Sequence, residues 1–376
     1  MLEPETRQAD FPSLSSMTYL NTAAEGIPPR PVAEALKEYY QDKLLGMDGR
    51  ELHFAKWEAI KKEAAGFYGL SPEEVSVCSC SSEAYNLAAG ALQLKEGDEV
   101  VINDLDFPSG CTPWLQHGCP AKVKVWRSRD GALRMDDLIS LLGPKTRLIT
   151  VSLVSFYNGY KVPLPELIRT IRDKSPALLS MDVTQALGRI PLDLKGVDLI
   201  VSSTHKWVLA AHGGGLVGIP SDRAKEWTVH AGGWFNLENP FGPKRFEQAI
   251  AKPGAAGFTV GMPNFPSVYA IHAALKYIRR IGVNEIDSHT RPLVLACLEG
   301  LRKLPVKLLT PYEPNSIAGI LSFEHAKAER IHHHLHLQNI HIMHHAGRLR
   351  VSIHGYNTMD DVEFFLTELE KALKKF

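Results

Sequence analysis

The sequence has no excess of charge of either sign and no apolar run long enough to cross a membrane. Lys plus Arg and Asp plus Glu number 42 each, so the formal net charge is zero with neutral histidines. This balance argues against nucleic acid and against an anionic membrane surface as partners. No segment reaches the roughly 18 apolar residues of a bilayer span. The acidic residues 1–8 also lack the apolar centre of a signal peptide.

Cysteine is scarce as well. The five cysteines stand at positions 78, 80, 111, 119 and 297, an odd number without a disulfide framework. This usage fits a reducing compartment, so we expect a cytoplasmic protein. Only one residue separates Cys78 from Cys80, which is not the spacing of a zinc or redox motif. Packed thiols are the simpler interpretation.

The middle of the chain alternates short apolar runs with helical patterns, and 376 residues are enough for two domains. Many runs are apolar on both faces, as in strands covered by helices on both sides. The alternation predicts an α/β fold with a mostly parallel, seven-stranded sheet. The predicted strands are Val75–Cys78, Glu99–Asn103, Lys122–Trp126, Leu148–Leu153, Ala177–Val183, Leu199–Ser203 and Leu216–Ile219. The predicted helices between them are Ala84–Leu94, Met135–Leu142 and Pro165–Lys174.

The last third of the chain has a different pattern. Two long helices, Phe265–Ile281 and Asp287–Leu304, precede a mixture of short strands and helices, which is typical of an α+β unit. We therefore expect a large domain over residues 21–260 and a smaller C-terminal domain over residues 261–376. Residues 1–20 are predicted to pack on the small domain.

Lys206 is the strongest single candidate for chemistry. It follows the apolar strand Leu199–Ser203 and precedes three glycines, Gly213 to Gly215. Burial at a strand end lowers the pKa of a lysine toward the neutral amine. A neutral amine can form a Schiff base with an aldehyde, which suggests pyridoxal 5'-phosphate as the cofactor.

Asp182 ends the preceding apolar run, 24 residues before Lys206. Open α/β sheets place ligands at the carboxyl ends of their strands, and one crossover would bring both side chains to the same edge. A carboxylate there keeps the pyridine nitrogen of the cofactor protonated. Gln185 could donate to the ring's phenolate oxygen. Considered alone, Asp182 could equally be the N-cap of a helix.

The cofactor phosphate needs hydrogen-bond donors. Ser81 and Ser82 follow a strand and open a helix, and a helix N-terminus binds anions. Ser203 and His205 flank the strand end before Lys206 and could add donors. Simple helix capping by the two serines is the alternative.

Two further residues could contact the cofactor ring and the carboxylate of an amino-acid substrate. Phe107 follows an apolar strand and could stack on the pyridine face, or it could be an ordinary buried side chain. Arg350 could bind an α-carboxylate through two parallel hydrogen bonds. A surface salt bridge is the alternative for this arginine.

Taken together, these segments resemble the class V aminotransferases, which are fold-type I enzymes dependent on pyridoxal phosphate. Any one motif is weak, but their order and spacing match through most of the chain. The matching segments are Tyr19-Leu-Asn-Thr-Ala-Ala-Glu-Gly26, Ser81-Ser-Glu-Ala-Tyr-Asn-Leu87, Asp182-Val-Thr-Gln185, Ser203-Thr-His-Lys206, Gly261-Met-Pro-Asn264 and Arg350-Val-Ser-Ile-His-Gly-Tyr-Asn-Thr358.

The resemblance implies a role for each matched residue. Lys206 would be the Schiff-base lysine and proton shuttle, and Asp182 the partner of the pyridinium. Phosphate binding would fall to Ser81, Ser82, Ser203 and His205, ring contacts to Phe107 and Gln185, and substrate binding to Arg350 and Asn21. The resemblance also implies a homodimer with the active site at the subunit interface.

Two departures from the family pattern affect these expectations. Some family members, the group II cysteine desulfurases, carry a nucleophilic cysteine on a loop shortly before the carboxylate-binding arginine. Residues 338–350 contain no cysteine, which argues against a desulfurase of that type because the persulfide forms on a thiolate. Met262 stands where the family commonly has a threonine that reaches the phosphate across the dimer.

Seven histidines crowd residues 332–345. His332 and His336 are four residues apart and could share a helix face, but zinc needs three or four converging ligands. We expect no metal here, since the resemblance makes this a surface helix and strand.

The expected activity is that of an enzyme acting on an amino acid through a Schiff base and a Cα carbanion. Aminotransferase is the leading interpretation. Cysteine or cystine C–S lyase comes close behind, then amino-acid epimerase. The shared residues do not choose among these outcomes. A non-catalytic binding protein of the same fold and a metal-binding module are the rivals.

Overall fold

The computed structural model describes residues 1–376, apart from the side chain of Pro314. The helices are α1 Pro4–Asp10, α2 Arg30–Leu44, α3 Gly49–Tyr68, α4 Ser81–Leu92, α5 Pro108–Leu115, α6 Met135–Leu141, α7 Leu164–Lys174, α8 Phe265–Ile281, α9 Val283–Arg302, α10 Ala328–Leu337 and α11 Met359–Lys375. The strands are β1 Thr18–Tyr19, β2 Val75–Cys78, β3 Glu99–Asn103, β4 Lys122–Trp126, β5 Thr146–Ser152, β6 Leu178–Asp182, β7 Leu199–Ser203, β8 Gly215–Gly218, β9 Lys307–Leu308, β10 Ile320–Glu324, β11 Ile340–His341, β12 Met343–His345 and β13 Arg348–Ser352.

The large sheet has seven strands in the order β2-β8-β7-β6-β5-β3-β4. All its pairs are parallel except those of β8, which runs antiparallel to both β2 and β7. The expectation of an α/β fold with a mostly parallel, seven-stranded sheet is confirmed, and so are most of the strand bounds. Parallel pairing brings the carboxyl ends of β3, β5, β6 and β7 to one edge, where the predicted site residues follow.

Both faces of this sheet are covered, which explains the doubly apolar strands. Along β6 and β7, Leu179, Met181 and Ile200 pack in one apolar cluster. The alternate residues Leu178, Leu199 and Val201 pack in another. Helices α3, α7 and α8 contribute to the first cluster, and α4 and α5 contribute to the second. Side chains that alternate between two buried faces leave only the strand ends free for polar chemistry.

A four-stranded antiparallel sheet of order β12-β13-β10-β9 forms the core of the C-terminal part with α9, α10 and α11. The N-terminal segment joins this region, because β1 pairs with β11 in parallel and Asn21 bridges to Ser352. Helix α8 packs on the large sheet, while α9 packs on the small one. The packing thus changes between α8 and α9, and the division near residue 260 stays a prediction.

Among the described residues, no helix combines the length and the apolar character that crossing a bilayer requires.

Candidate active site

Lys206 lies just beyond β7, at the carboxyl edge of the large sheet. Its Nζ stands 5.1 Å from the centre of the Phe107 ring, so the two predicted residues face each other. Burial lowers the pKa of the Lys206 amine, nearby Asp182 opposes that shift, and Arg350 adds to it. The backbone is held closely here: Gly26 N–H donates to the His205 carbonyl over 2.8 Å, and a Cβ on Gly26 would overlap the Lys206 carbonyl oxygen.

Asp182 is buried at the end of β6 and is held by two donors. The Tyr85 hydroxyl donates to its Oδ2 over 3.1 Å, and the Thr184 N–H donates to its Oδ1 over 2.8 Å. Burial raises the pKa of this carboxyl, while the Thr184 bond, Lys206 and Tyr85 oppose the rise. Two donated hydrogen bonds therefore favour the charged form of this buried carboxyl group. A carboxylate in this position suits a partner for a protonated ring nitrogen.

Gln185 is buried beside Asp182, and its amide group is already engaged on both sides. Its Nε2 donates to the Ala23 carbonyl over 3.1 Å, and its Oε1 accepts from the Trp207 indole N–H. A primary amide carries two N–H donors, so one remains for another acceptor. These bonds fix the Gln185 amide beside Trp207, the residue that follows Lys206.

The structure brings into contact two of the four residues predicted to bind phosphate. The Ser203 hydroxyl donates to the Ser81 hydroxyl over 2.9 Å at the start of α4, and both serines are buried. His205 follows Ser203, and burial, then Lys206 and His212, lower the pKa of its ring to about 4. Ser82 is exposed on the first turn of the same helix. A neutral imidazole, hydroxyls and a helix N-terminus together suit an anion.

Arg350 and Asn21 come from the small sheet and the N-terminal segment. Arg350 is buried, its guanidinium donates to the Phe156 carbonyl over 2.9 Å, and burial lowers its pKa to about 10. Its Nε and the Asn21 Oδ1 are buried polar atoms without a hydrogen-bond partner in the described structure. Orphaned polar atoms of this kind are uncommon in native proteins and fit a site that a polar ligand completes.

Met262 is 40% exposed in the segment before α8. The neighbouring Asn264 donates to the Gly213 carbonyl over 3.3 Å, so it lies beside the glycine-rich loop that follows Lys206. The segment thus approaches the site from within the same chain. Met262 has no hydroxyl to offer a phosphate across a dimer, unlike the threonine that the family commonly has at this position.

Several residues of the site escaped the sequence analysis. Tyr85 is one helical turn after Ser81 and therefore points to the same side of α4; that spacing was the available signal. Phe156 packs edge-on against the Phe107 ring at 5.1 Å between centroids. The rings of His205 and His212 stack with their centroids 4.3 Å apart, and His212 also contacts the Glu25 carboxylate. Tertiary folding brings Glu25 to the two histidines.

The chain also matches a known protein family over most of its length. Residues 18–365 match the family described as aminotransferase class-V. The chain belongs to this family. The sequence resemblance is thereby confirmed, and with it the expectation of an enzyme that uses pyridoxal phosphate.

Three members or neighbours illustrate the range of class V activities. An uncharacterized aminotransferase of Bacillus subtilis is 27% identical, with 97% of both chains covered. A cysteine desulfurase structure from Thermococcus onnurineus superposes with a TM-score of 0.90 at 26% identity, covering 100% of this chain and 99% of the other. The cystine C–S lyase C-DES, solved with its product cysteine persulfide, has a TM-score of 0.87 at 23% identity, with 96% and 99% covered.

The residues present fit the class V cofactor on structural grounds alone. A buried carboxylate, a desolvated lysine, an exposed aromatic ring and a hydroxyl pair at a helix N-terminus surround one edge of the sheet. A Cβ on Gly215 would come within 2.7 Å of the Cys80 backbone, so a larger residue in β8 would push away the turn that leads into α4. The donor set therefore offers each chemical group of pyridoxal phosphate a matching partner.

Proposed function

We propose that the protein is an amino-acid aminotransferase in which Lys206 carries the cofactor and moves the proton. The observation that carries the proposal is the placement of the Lys206 amine. Its Nζ faces Phe107 at 5.1 Å, and its pKa responds to Asp182 on one side and to Arg350 on the other. One amine is thus close enough to be influenced both by a partner for the ring nitrogen and by a partner for a carboxylate.

When bound, the cofactor supplies an aldehyde for the amine and a ring that accepts electrons from the substrate Cα. Asp182 would hold the proton on the ring nitrogen, and Phe107 would cover one face of the ring. Ser81, Ser82, Ser203 and His205 would hold the phosphate. Gln185 would donate its free N–H to the phenolate oxygen.

Arg350 positions the substrate. Its guanidinium binds the α-carboxylate with help from Asn21, which turns the Cα–H bond toward Lys206. The neutral Nζ of Lys206 would take up the Cα proton and hold it for return. The lowered pKa of Lys206 favours the neutral amine that this step needs. Water would then release the keto acid, and the amino group would stay on the cofactor until an acceptor keto acid takes it.

The second candidate is a C–S lyase, which releases a sulfur substituent from Cβ after the same proton removal. It is favoured by the relatives named as cysteine desulfurases, such as one of Pyrococcus abyssi at 27% identity. Residues 338–350 contain no cysteine to hold a persulfide, so the sulfur would have to leave with the product. Return of the proton to Cα would give an epimerase and ranks third.

One experiment separates these reactions. The purified enzyme, loaded with pyridoxal phosphate, is incubated with alanine, cysteine or cystine, each with and without a keto acid. Amino transfer requires the keto acid for continued turnover. Formation of pyruvate and sulfide without a keto acid would show that the activity is that of a lyase and not of an aminotransferase. Loss of the substrate's optical activity without any other product would indicate an epimerase.

The proposal includes a homodimer, as the family resemblance implies. Large apolar side chains are more than half exposed near the junction of α2 and α3 (Leu44, Leu45 and Met47) and before α8 (Phe241 and Phe246). Exposed apolar groups of this size are typical of surfaces that a partner covers. Light scattering coupled to gel filtration tests the prediction, and a monomer at assay concentration would contradict it.

A further inference from the structure

Phe156 lies inside the candidate site, although the proposed reaction assigns it no part. Its carbonyl oxygen accepts an N–H of the Arg350 guanidinium over 2.9 Å. Its ring stands edge-on to the Phe107 ring, with the centroids 5.1 Å apart and the planes at 88°. The Phe107 ring in turn lies 5.1 Å from the Lys206 Nζ. Phe156 therefore contacts both the residue proposed to bind the α-carboxylate and the residue proposed to cover the cofactor ring.

The two phenyl rings form an apolar surface in the site, and we call Phe107 and Phe156 the aromatic wall. The Phe107 side chain is 44% exposed and that of Phe156 is half-buried, so the rest of the chain leaves both partly open. Small-molecule sites are lined mainly by apolar and aromatic side chains, with a few polar groups that fix the orientation. A ligand whose carboxylate lies on Arg350 can therefore bury an apolar side chain against this wall.

A carboxylate near Lys206 affects the choice of substrate as well. The Glu25 Oε2 lies 3.3 Å from the His212 Nε2. A carboxylate oxygen of Glu25 also lies within 4.8 Å of a ring nitrogen of His205, the residue before Lys206. The charge of Glu25 raises the pKa of the Lys206 amine, so it acts inside the site. The same charge would repel a second carboxylate carried by the substrate.

The arginines of β13 offer such a second carboxylate little compensation. Arg350 is the proposed partner of the α-carboxylate. Arg348 is engaged with Tyr157, because its guanidinium donates to the Tyr157 carbonyl and lies 4.3 Å from the centre of the Tyr157 ring. A charged side chain that leaves water without a partner for its charge binds poorly.

We propose that the substrate of this site is an amino acid with an apolar, uncharged side chain, selected by Phe156 and Glu25. Phe156 contacts the side chain through the aromatic wall, and Glu25 rejects acidic side chains. Leucine and phenylalanine belong to the accepted class, whereas aspartate and glutamate belong to the rejected one. This inference rests on the proposed function, because it takes Arg350 as the partner of the α-carboxylate.

Binding without turnover is the first test. The acids 4-methylpentanoate and glutarate resemble leucine and glutamate but lack the amino group, so they can bind at Arg350 without reacting. Calorimetric titration into the holoenzyme should show binding of 4-methylpentanoate that is tighter by about tenfold or more. Equal affinities, or tighter binding of glutarate, would overturn the proposal.

Three variants assign this preference to the two residues. Phe156→Ala should weaken binding of 4-methylpentanoate by roughly tenfold, and Phe156→Leu, which keeps an apolar side chain, should weaken it less. Glu25→Gln removes the charge and should strengthen binding of glutarate alone. An unchanged ratio of the two affinities in both Phe156→Ala and Glu25→Gln would show that neither residue selects the substrate.

Phe54 provides a matched control. It forms a similar edge-on pair with Phe265, at 5.5 Å and 86°, away from Arg350 and Phe107 in the chain's contacts. Phe54→Leu should therefore leave the ratio of the two affinities unchanged. The melting temperature of each variant shows whether it is folded. A ratio that falls as much in Phe54→Leu as in Phe156→Leu would contradict a specific role of Phe156.

A second measurement distinguishes failure of this inference from failure of the proposed function. The holoenzyme is mixed with leucine or with glutamate, and the visible absorbance of the cofactor is followed. A faster change with leucine is expected. A faster change with glutamate would overturn the apolar preference and leave amino transfer standing. Tighter binding of 4-methylpentanoate without an absorbance change for any amino acid would contradict amino transfer and still support an apolar substrate site.

Discussion

The phenol of Tyr85 donates a hydrogen bond of 3.1 Å to the carboxylate of Asp182. Both groups are buried, and burial alone pushes the pKa of Asp182 upward. A phenol that donates to the charged form lowers that pKa and so opposes the effect of burial. In the proposed reaction Tyr85 would therefore act on the cofactor through Asp182, as a positioning residue.

Tyr85→Phe should lower kcat/KM by about tenfold, since a hydrogen bond to a charged group contributes about 1.5–3 kcal/mol. Without the phenol, the pKa of Asp182 rises further, so the carboxylate is protonated at a higher pH. The acid limb of the kcat/KM profile should therefore move to higher pH. Tyr160→Phe, which removes a buried phenol that donates to the Leu133 carbonyl, is the control. An unmoved acid limb in Tyr85→Phe would show that the bond has no electrostatic role.

Lys206→Ala should abolish turnover while the fold persists. Proton transfer by a positioned side chain contributes about 10²–10⁴-fold to the rate, and this variant also loses the covalent link to the cofactor. The visible absorbance band of a cofactor joined to the lysine should be absent, and stopped-flow assays should show no product. Lys206→Arg keeps the positive charge and should be equally inactive. Substantial turnover in either variant would contradict the assignment.

Arg350→Lys should raise KM far more than it lowers kcat. A lysine cannot form the two parallel hydrogen bonds that a guanidinium makes to a carboxylate, and we expect about a tenfold rise or more. Arg348→Lys is the matched control, because Arg348 is a buried arginine of the same strand that donates to the Tyr157 carbonyl. An equal KM effect in both variants would point to damage of the strand instead of lost substrate contact.

His354 should make the fold sensitive to acid. Its Nε2 lies 2.9 Å from the Trp207 carbonyl, and its Nδ1 accepts the Gly355 N–H, so only the neutral ring satisfies both contacts. Burial lowers its pKa to about 3. The unfolded chain binds the proton below about pH 6.5, whereas the folded chain does not. Stability is therefore complete above that pH and falls as the pH drops toward 3, by up to about 1.4 kcal/mol per unit.

Urea unfolding at several pH values measures this slope. His354→Gln keeps an N–H donor for the Trp207 carbonyl but has no group that titrates in this range. The variant should be less stable at pH 7 yet lose less stability per pH unit. An identical slope in both proteins would assign the acid sensitivity to other groups, such as His205 and His272, whose pKa values burial also lowers to about 4.

The large sheet was predictable because each of its strands carries its own signal. Runs such as Leu199–Ser203 are apolar at every position, and their two faces are both buried in the structure. Helices α2 and α3 were not predicted. Helix α2 buries only Val32 and Ala35, so its apolar stripe is too narrow to stand out in the sequence.

The candidate site was predictable where one residue follows one strand, as Asp182 and Lys206 do. Contacts that depend on the meeting of distant segments were not. The partner of Asp182 comes from α4, and the rings that contact the histidines of α10 come from β11 and β12. Sequence spacing reports which face of an element a side chain occupies, but not which other element packs there.

Two arginines of β13 fasten the two sheets to each other. Arg350 donates to the Phe156 carbonyl and Arg348 to the Tyr157 carbonyl, both on the loop that follows β5. Opening a hinge along this seam would break both hydrogen bonds, and each bond to a charged group contributes about 1.5–3 kcal/mol. The small sheet therefore carries Arg350 to the large sheet already fixed in place, so the spacing between Arg350 and Lys206 is set before any substrate arrives.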